Sequence, residues 1–122
     1  LAPEAIGTFD VVFFCGVLYH MRHPLLALEK VASVTKSHLI VETKVDLLFT
    51  RTPAMAFYLG DGLNGDPTNW WAPNVNGLRD MLRAVGFQKF LVVSPPRPWF
   101  VRLLRAPLRN FRHGRVALHA WK

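Results

Sequence analysis

Apolar residues along this 122-residue chain follow two patterns, continuous runs and helical spacings. The β-rich runs at residues 9–14 and 38–43 predict strands that are buried on both faces, as in a parallel sheet. Between them, Pro24 suits the first turn of a helix, and the apolar residues after it recur at helical spacing. We therefore predict strand, helix and strand over this region, with the helix ending near residues 34–36.

The second half of the chain repeats the alternation. Either Asn74 or Asn76 is suited to cap a second helix, whose apolar stripe ends just before Gly86. Glycine at that position is typical of the residue that follows a helix. The apolar runs at 90–93 and 116–121 predict two more strands. Alternating strands and helices favour an α/β layer with a largely parallel sheet.

Residues 50–74 interrupt this alternation and are predicted to form a long loop, rich in Pro, Gly and aromatic residues. Long loops inside compact domains are uncommon and often functional. Trp70 and Trp71 lie at its end. They are suited either to contact a planar substrate or to cover the edge of the sheet, and the sequence does not decide between these roles.

The amino-acid composition limits the classes of protein to which this chain can belong. Hydrophobic residues make up 51% of the chain and charged residues 19%, which is apolar for so small a domain. We therefore expect part of a larger domain whose missing portion covers apolar surface. No apolar run reaches the ~18–20 residues that a membrane-spanning helix needs. The lone Cys15 excludes an internal disulfide and fits a reducing compartment, so we expect a cytoplasmic protein.

The net charge of +7 is concentrated in the C-terminal part of the chain. Basic and acidic residues balance before Arg97, whereas the remainder holds seven basic residues and no acidic one. Within the basic segment 97–115, four arginines are spaced to share one helical face: Arg102, Arg105, Arg109 and Arg112. Such a face suits the phosphates of RNA or another polyanion, anionic lipid headgroups, or simple solvation.

A resemblance to a known family rests on two stretches. Residues 9–42 (FDVVFFCGVLYHMRHPLLALEKVASVTKSHLIVET) resemble the fourth strand, helix and fifth strand of class I S-adenosylmethionine-dependent methyltransferases. The GVLYH stretch at 16–20 and the WWAPN stretch at 70–74 are similar to the tRNA wobble-uridine (carboxy)methyltransferase-like family. The resemblance covers roughly residues 1–94. It implies the C-terminal half of a Rossmann-like sheet, with about four strands and two to three helices, so that residues 1–122 form a partial methyltransferase domain.

The resemblance also implies roles for individual residues. Cys15 and Gly16 lie where the family's backbone flanks the methionine part of S-adenosylmethionine, and Tyr19 matches a tyrosine beside the transferred group. His20 would face the substrate, and its ordinary pKa near neutrality makes it the candidate catalytic base. The aromatic loop context, rather than the resemblance, makes Trp70 and Trp71 the substrate-binding candidates.

Several family features lie outside the sequence. The glycine-rich loop after the first strand and the acidic residue that binds the ribose are absent, and no basic residues can be matched to those that hold a carboxymethyl cofactor's carboxylate. We therefore expect a longer protein that transfers a methyl group to an unidentified acceptor, either a small molecule or a tRNA uridine. This chain alone is expected to be inactive. The alternative is a non-catalytic module that binds RNA or another polyanion through the basic segment.

Three further expectations follow from the sequence. Without the first three strands of such a sheet, one edge is bare, and bare edges favour self-association. The G-x-G-x-x-G match at 60–65 lacks the following helix that phosphate binding needs, so it predicts a flexible turn. His20 and His23 lack further ligands nearby, so no metal site is expected.

Overall fold

The computed structural model describes residues 1–94 and 114–122. In chain order the elements are α1 (Pro3–Ile6), β1 (Phe9–Cys15), a 3₁₀ turn (Leu18–His20), α2 (Pro24–Val34), β2 (Thr35–Val45), β3 (Met55–Phe57), β4 (Trp71–Pro73), α3 (Val75–Ala84), β5 (Lys89–Ser94) and β6 (Gly114–Trp121). Four of the strands form one sheet, with helices packed on it, so the predicted α/β fold class is confirmed. No helix in the described ranges is long and apolar enough to cross a membrane.

The order of strands in the sheet is β1–β2–β6–β5. β1 and β2 are parallel, and α2 provides the crossover connection that parallel neighbours need. β6 lies between β2 and β5 and is antiparallel to both. β1, β2 and β5 run in the same direction, but among the three described strand pairs of this sheet one is parallel and two are antiparallel. The expectation of a largely parallel sheet was therefore wrong for the strand pairing. Apolar runs report burial, and burial does not specify the direction of the neighbouring strand.

One face of the sheet packs against α2 and α3. Every second residue of β2 and β6 points to this face and is inaccessible to solvent. Burying each large aliphatic side chain contributes about 1.5–3 kcal/mol. The cluster formed by the two strands and the two helices comprises Leu39, Val41, Val45, Val116, Leu118 and Ala120 from the strands and Leu28, Val31, Leu78 and Leu82 from the helices.

The opposite face of the sheet is open and carries exposed apolar side chains. The strand register places Phe13, Ile40, His119 and Leu91 side by side, one from each strand. Phe13 is 71% exposed and Leu91 is 55% exposed. The prediction that run 9–14 is buried on both faces was therefore wrong for the described chain, because the helices that cover the sheet all lie on the other face.

The predicted caps of the second helix are present at both ends of α3. The Asn74 side-chain oxygen accepts from the third helical N–H at 2.7 Å, which decides between the two candidate asparagines. Gly86 follows the helix with φ of +103°. Its N–H donates to the Arg83 carbonyl at 3.0 Å, and the Phe87 N–H donates to the Leu82 carbonyl at 3.1 Å. These two backbone bonds form a Schellman motif, closed by the buried Phe87 and Leu82 side chains.

The segment 50–74 is more ordered than the predicted loop. It contains a two-stranded antiparallel ribbon made of β3 and β4. The buried Asn74 amide closes the segment, because its Nδ2 donates to the Thr50 carbonyl at 2.9 Å and the Thr52 carbonyl at 2.7 Å. Three-residue strands are too short for a periodic pattern, so the sequence could not reveal them.

Candidate functional site

The chain leaves β1 through a sharp turn at its carboxyl end, where two predicted cofactor residues lie. Gly16 has φ of +73°, which residues with a Cβ rarely adopt, and its N–H donates to the Glu42 carbonyl at 3.0 Å. Cys15 is exposed, with its Sγ 3.8 Å from the Ile40 carbonyl. Among the residues that the structure describes, and apart from its chain neighbours, a Cβ added to Gly16 would come within 4 Å only of the Tyr19 hydroxyl, at 3.9 Å. The backbone here is therefore open to close approach.

Tyr19 is the buried centre of this turn, with 6% of its surface exposed. Its hydroxyl accepts a hydrogen bond from Arg115 Nη2 at 3.0 Å. The same guanidinium donates through Nη1 to Glu42 Oε1 at 2.9 Å, forming an ion pair. Because Arg115 occupies a lone pair of the hydroxyl, the hydroxyl proton remains available for donation.

A second cation lies beside the same ring. Lys44 Nζ is 5.6 Å from the centroid of the Tyr19 ring, and Arg115 Cζ is 5.7 Å from it. Burial, and then the Arg115 charge, lower the pKa of Lys44 below its usual value. Two cations held this close form a region that an anionic group would stabilise.

His20 is oriented by the residues before β4. Its Nδ1 lies 3.0 Å from the Thr68 carbonyl oxygen and 3.0 Å from Thr68 Oγ1. The Tyr19 and His20 rings are in contact, with centroids 4.2 Å apart. The Thr68 hydroxyl in turn donates to Asp66 Oδ1 at 2.7 Å. The hydrogen bonds from the Thr68 hydroxyl and backbone N–H lower the pKa of Asp66, because they stabilise its charged form.

The two tryptophans adjoin this turn. The backbone N–H of Trp70 donates to the Tyr19 carbonyl at 2.8 Å. This bond fixes the end of the aromatic segment against the turn. The Arg22 guanidinium lies over the Trp70 ring at 5.0 Å, and Trp71 Nε1 donates to the Arg22 carbonyl at 3.3 Å. Phe57 adds a third ring, 4.9 Å from Trp71. The result is a partly exposed aromatic surface next to the Tyr19 and His20 side chains.

The structure brings six of the predicted site residues into one region: Cys15, Gly16, Tyr19, His20, Trp70 and Trp71. Sequence reasoning missed Glu42, Lys44 and Arg115. A signal existed for the first two, since charged side chains alternate with buried ones at the end of β2. Thr68 and Asp66 carried no comparable signal.

The structure describes part of the basic C-terminal region. The four arginines proposed to bind a polyanion, Arg102, Arg105, Arg109 and Arg112, lie outside the described residues. Arg115 contacts Tyr19, and Lys122 donates to the Ala32 and Thr35 carbonyls at 2.8 Å and 2.6 Å. Lys122 therefore caps the C-terminal end of α2, where a cation is favoured.

The G-x-G-x-x-G match and the candidate metal ligands lie in described parts of the structure. Residues 60–65 form turns that lead to β4 rather than to a helix, so the G-x-G-x-x-G match lacks the helix N-terminus that phosphate binding requires. Within the described residues, no group of three or more His, Cys, Asp or Glu side chains is placed to hold a metal ion.

Comparisons with known proteins identify the fold. The N-terminal domain of EvdMO1, solved in the presence of SAH and D-fucose, matches with a TM-score of 0.66 and 18% identity over 99% of this chain and 50% of that one. The same domain with SAH bound gives the same score and identity, over 49% of its length. An S-adenosylmethionine-dependent methyltransferase from Mesorhizobium loti matches with a TM-score of 0.54 and 14% identity, over 93% of this chain and 62% of that one.

No protein-family model and no curated protein matches the chain. At these identities, the structural similarity establishes the fold alone. The chain spans about half the length of the EvdMO1 domain that it matches. We conclude that this chain has an α/β fold shared with methyltransferase structures, and that the Gly16–Tyr19–His20 turn lies at the carboxyl end of its parallel strand pair.

Proposed function

We propose that the protein containing this chain transfers a methyl group from S-adenosylmethionine to an acceptor, in the cytoplasm. The observation that carries the proposal is the position of the turn from Gly16 to His20. It lies at the carboxyl end of β1, where α/β sheets bind ligands, in a fold that matches a SAH-bound domain over 99% of the chain. SAH is what remains of S-adenosylmethionine after its methyl group has been transferred.

The residues of the turn fit the methionine end of this cofactor. Gly16 has no side chain of its own to obstruct close approach to its backbone, and the exposed Cys15 adjoins it. Tyr19 offers a hydroxyl proton that Arg115 leaves available. The rest of the cofactor would be bound by parts of the protein outside these 122 residues.

The bound cofactor supplies an electrophilic methyl group on a sulfonium. The chain's own residues would mainly align the acceptor with it, and alignment alone contributes a large share of the rate. Trp70 and Trp71 would hold an acceptor next to His20 through their partly exposed rings. His20 would remove the acceptor's proton, a role in which imidazole side chains commonly serve.

A carboxymethyl transfer to tRNA uridine is the second candidate function, and the cation pair favours it. Lys44 and Arg115 flank the Tyr19 ring, where a cofactor bearing a carboxylate would find two partners of opposite charge. Titration with S-adenosylmethionine and with its carboxylated analogue distinguishes the two reactions. Tighter binding of the analogue, lost in Arg115→Met, would select carboxymethyl transfer, whereas equal binding would leave methyl transfer.

The polyanion-binding alternative rests on the four arginines of the sequence, Arg102, Arg105, Arg109 and Arg112. It requires RNA binding that weakens steeply with salt, because neutralised phosphates release counterions. Replacing all four arginines together should abolish that binding. Unchanged RNA affinity in this variant would exclude the alternative.

The primary test is calorimetric titration with S-adenosylmethionine. The 122-residue chain is compared with a version extended upstream by about 100 residues, the missing share of a typical domain. Binding by the extended version supports the proposal, and absence of binding by both versions contradicts it. For activity, His20→Gln in the extended version should lower kcat by about 10²-fold. The matched control is His23→Gln, since His23 is an exposed histidine three residues away whose side chain makes no cap to α2.

A further inference from the structure

The hydrogen bonds of His20 define which of its ring nitrogens carries the proton. Nδ1 lies 3.0 Å from the Thr68 carbonyl oxygen, which can only accept. In the neutral imidazole, Nδ1 is therefore the donor. Nε2 then carries the lone pair, which is the state that a proton acceptor needs.

Thr68 is itself fixed by Asp66. Both the Thr68 hydroxyl and the Thr68 N–H donate to Asp66 Oδ1, at 2.7 Å and 2.9 Å. Because its only hydroxyl hydrogen is directed to the carboxylate, Thr68 Oγ1 presents lone pairs to His20 Nδ1, 3.0 Å away. Asp66, Thr68 and His20 thus form a hydrogen-bonded chain in which the His20 Nδ1 hydrogen is shared between the carbonyl and hydroxyl oxygens of Thr68.

The main chain on either side holds this arrangement in place. Next to Thr68, Asn69 is 2% exposed and its Nδ2 donates to the Leu63 carbonyl at 2.8 Å. One residue further, the Trp70 N–H donates to the carbonyl of Tyr19, the neighbour of His20. The Thr68 and His20 side chains therefore meet between two fixed points, although 48 residues separate them.

We propose that Thr68 and Asp66 are positioning residues that hold His20 with Nε2 as the proton acceptor, and that the acceptor of the methyl group is a hydroxyl or N–H group which loses its proton during transfer. This inference rests on the proposed methyl transfer. The acceptor's lone pair forms the bond to the methyl carbon, the carbon–sulfur bond breaks with its electrons staying on sulfur, and the acceptor's proton moves to Nε2. The negative charge of Asp66, relayed by the Thr68 hydroxyl, stabilises the resulting imidazolium.

The first experiment needs no activity. Long-range proton–nitrogen NMR of the His20 ring in the folded 122-residue chain reports the tautomer directly. We expect the proton on Nδ1 near pH 8, with Nε2 unprotonated. A neutral ring protonated on Nε2 would overturn the proposal, whether or not methyl transfer is detected.

The second experiment removes the carboxylate. Asp66→Asn weakens the hydrogen bond that fixes the Thr68 hydroxyl, so the same NMR measurement should find a larger share of His20 rings protonated on Nε2. Where transfer is measurable, kcat should fall about tenfold with KM nearly unchanged. Thr68→Val, which keeps the backbone carbonyl but lacks the hydroxyl, should produce a smaller change in the same direction.

The matched control is Asp61→Asn, which removes an exposed carboxylate from the same loop. It should leave both the His20 tautomer and kcat unchanged. Equal effects of Asp61→Asn and Asp66→Asn would assign the changes to general loop charge and reject the positioning role. If the tautomer is as expected but no acceptor is ever methylated, the hydrogen-bonded chain stands and the proposed reaction fails.

Discussion

Arg115 Nη2 lies 3.0 Å from the Tyr19 hydroxyl, although 96 residues separate the two in sequence. The contact exists because β6 inserts beside β2, in a register that places Arg115 opposite Lys44. The last strand therefore contributes a charged side chain to the turn after the first strand. Both proposed reactions would use this contact, since Tyr19 is the residue proposed to lie beside the transferred group.

Replacing Arg115 should change the titration of Lys44. Burial and the Arg115 charge both lower the pKa of Lys44, and Arg115→Met removes the second cause. We expect the pKa of Lys44 to rise toward its usual value, as measured by NMR of the lysine side chains. Arg83→Met, which removes an exposed arginine paired with Asp80 on α3, is the control and should have no effect. An unchanged Lys44 titration in Arg115→Met would show that the two cations do not interact.

Gly77 is predicted to tolerate no side chain, although it lies inside α3 where alanine is normally preferred. A Cβ at this position would stand 2.6 Å from the Ala54 carbonyl oxygen and 3.1 Å from the Ala54 nitrogen. Gly77→Ala should therefore destabilise the fold by roughly 1–3 kcal/mol. Urea unfolding measures the change in the free energy of unfolding.

The control for this substitution is Gly62→Ala. Gly62 is exposed, and the nearest atom to its added Cβ is a ring carbon of Tyr58 at 3.3 Å. Its effect should stay within about 0.5 kcal/mol, as for most surface changes. A stabilising Gly77→Ala would mean that residues 50–54 do not pack against α3 as described.

His38 should make the fold sensitive to acid. Burial, followed by the charge of His119, lowers its pKa below the usual 6.5, and the two rings share a hydrogen bond of 2.9 Å. The unfolded chain therefore takes up a proton at a higher pH than the folded chain does. The contribution of His38 to the free energy of unfolding is fully present above pH 6.5. It is lost as the pH falls through the lowered pKa of the folded state.

The measurement is the urea midpoint between about pH 7.5 and about pH 5, the range over which histidine titrates. His38→Asn should flatten this dependence, whereas His23→Asn, at an exposed position, should leave it unchanged. If the wild-type midpoint is constant over this range, His38 does not titrate differently in the two states.

The open face of the sheet should cause self-association. Phe13 is 71% exposed on β1, which is an edge strand of the described sheet, and exposed apolar edges pair with other chains. Light scattering after size exclusion should give a mass above the 13.9 kDa of one chain. Phe13→Asp should lower it. Phe49→Asp is the control, because Phe49 is 64% exposed but lies outside the sheet. A wild-type monomer would contradict this expectation.

What the sequence determined by itself was local. Apolar periodicity placed β1, α2, β2, α3, β5 and β6 to within a few residues. Asn74 and Gly86 marked the ends of α3, because capping and left-handed backbone depend on the identity of single residues. The GVLYH stretch pointed to the turn where Tyr19 and His20 lie.

Only the tertiary structure decided how these elements meet. The antiparallel insertion of β6, the Arg115–Tyr19 contact and the Asp66–Thr68–His20 chain all join residues far apart in sequence. Periodicity reports which side of an element is buried, but it does not report which strand lies beside it or in which direction that strand runs. Those choices depend on how the whole chain closes its core, and they place the charged and polar partners around the candidate site.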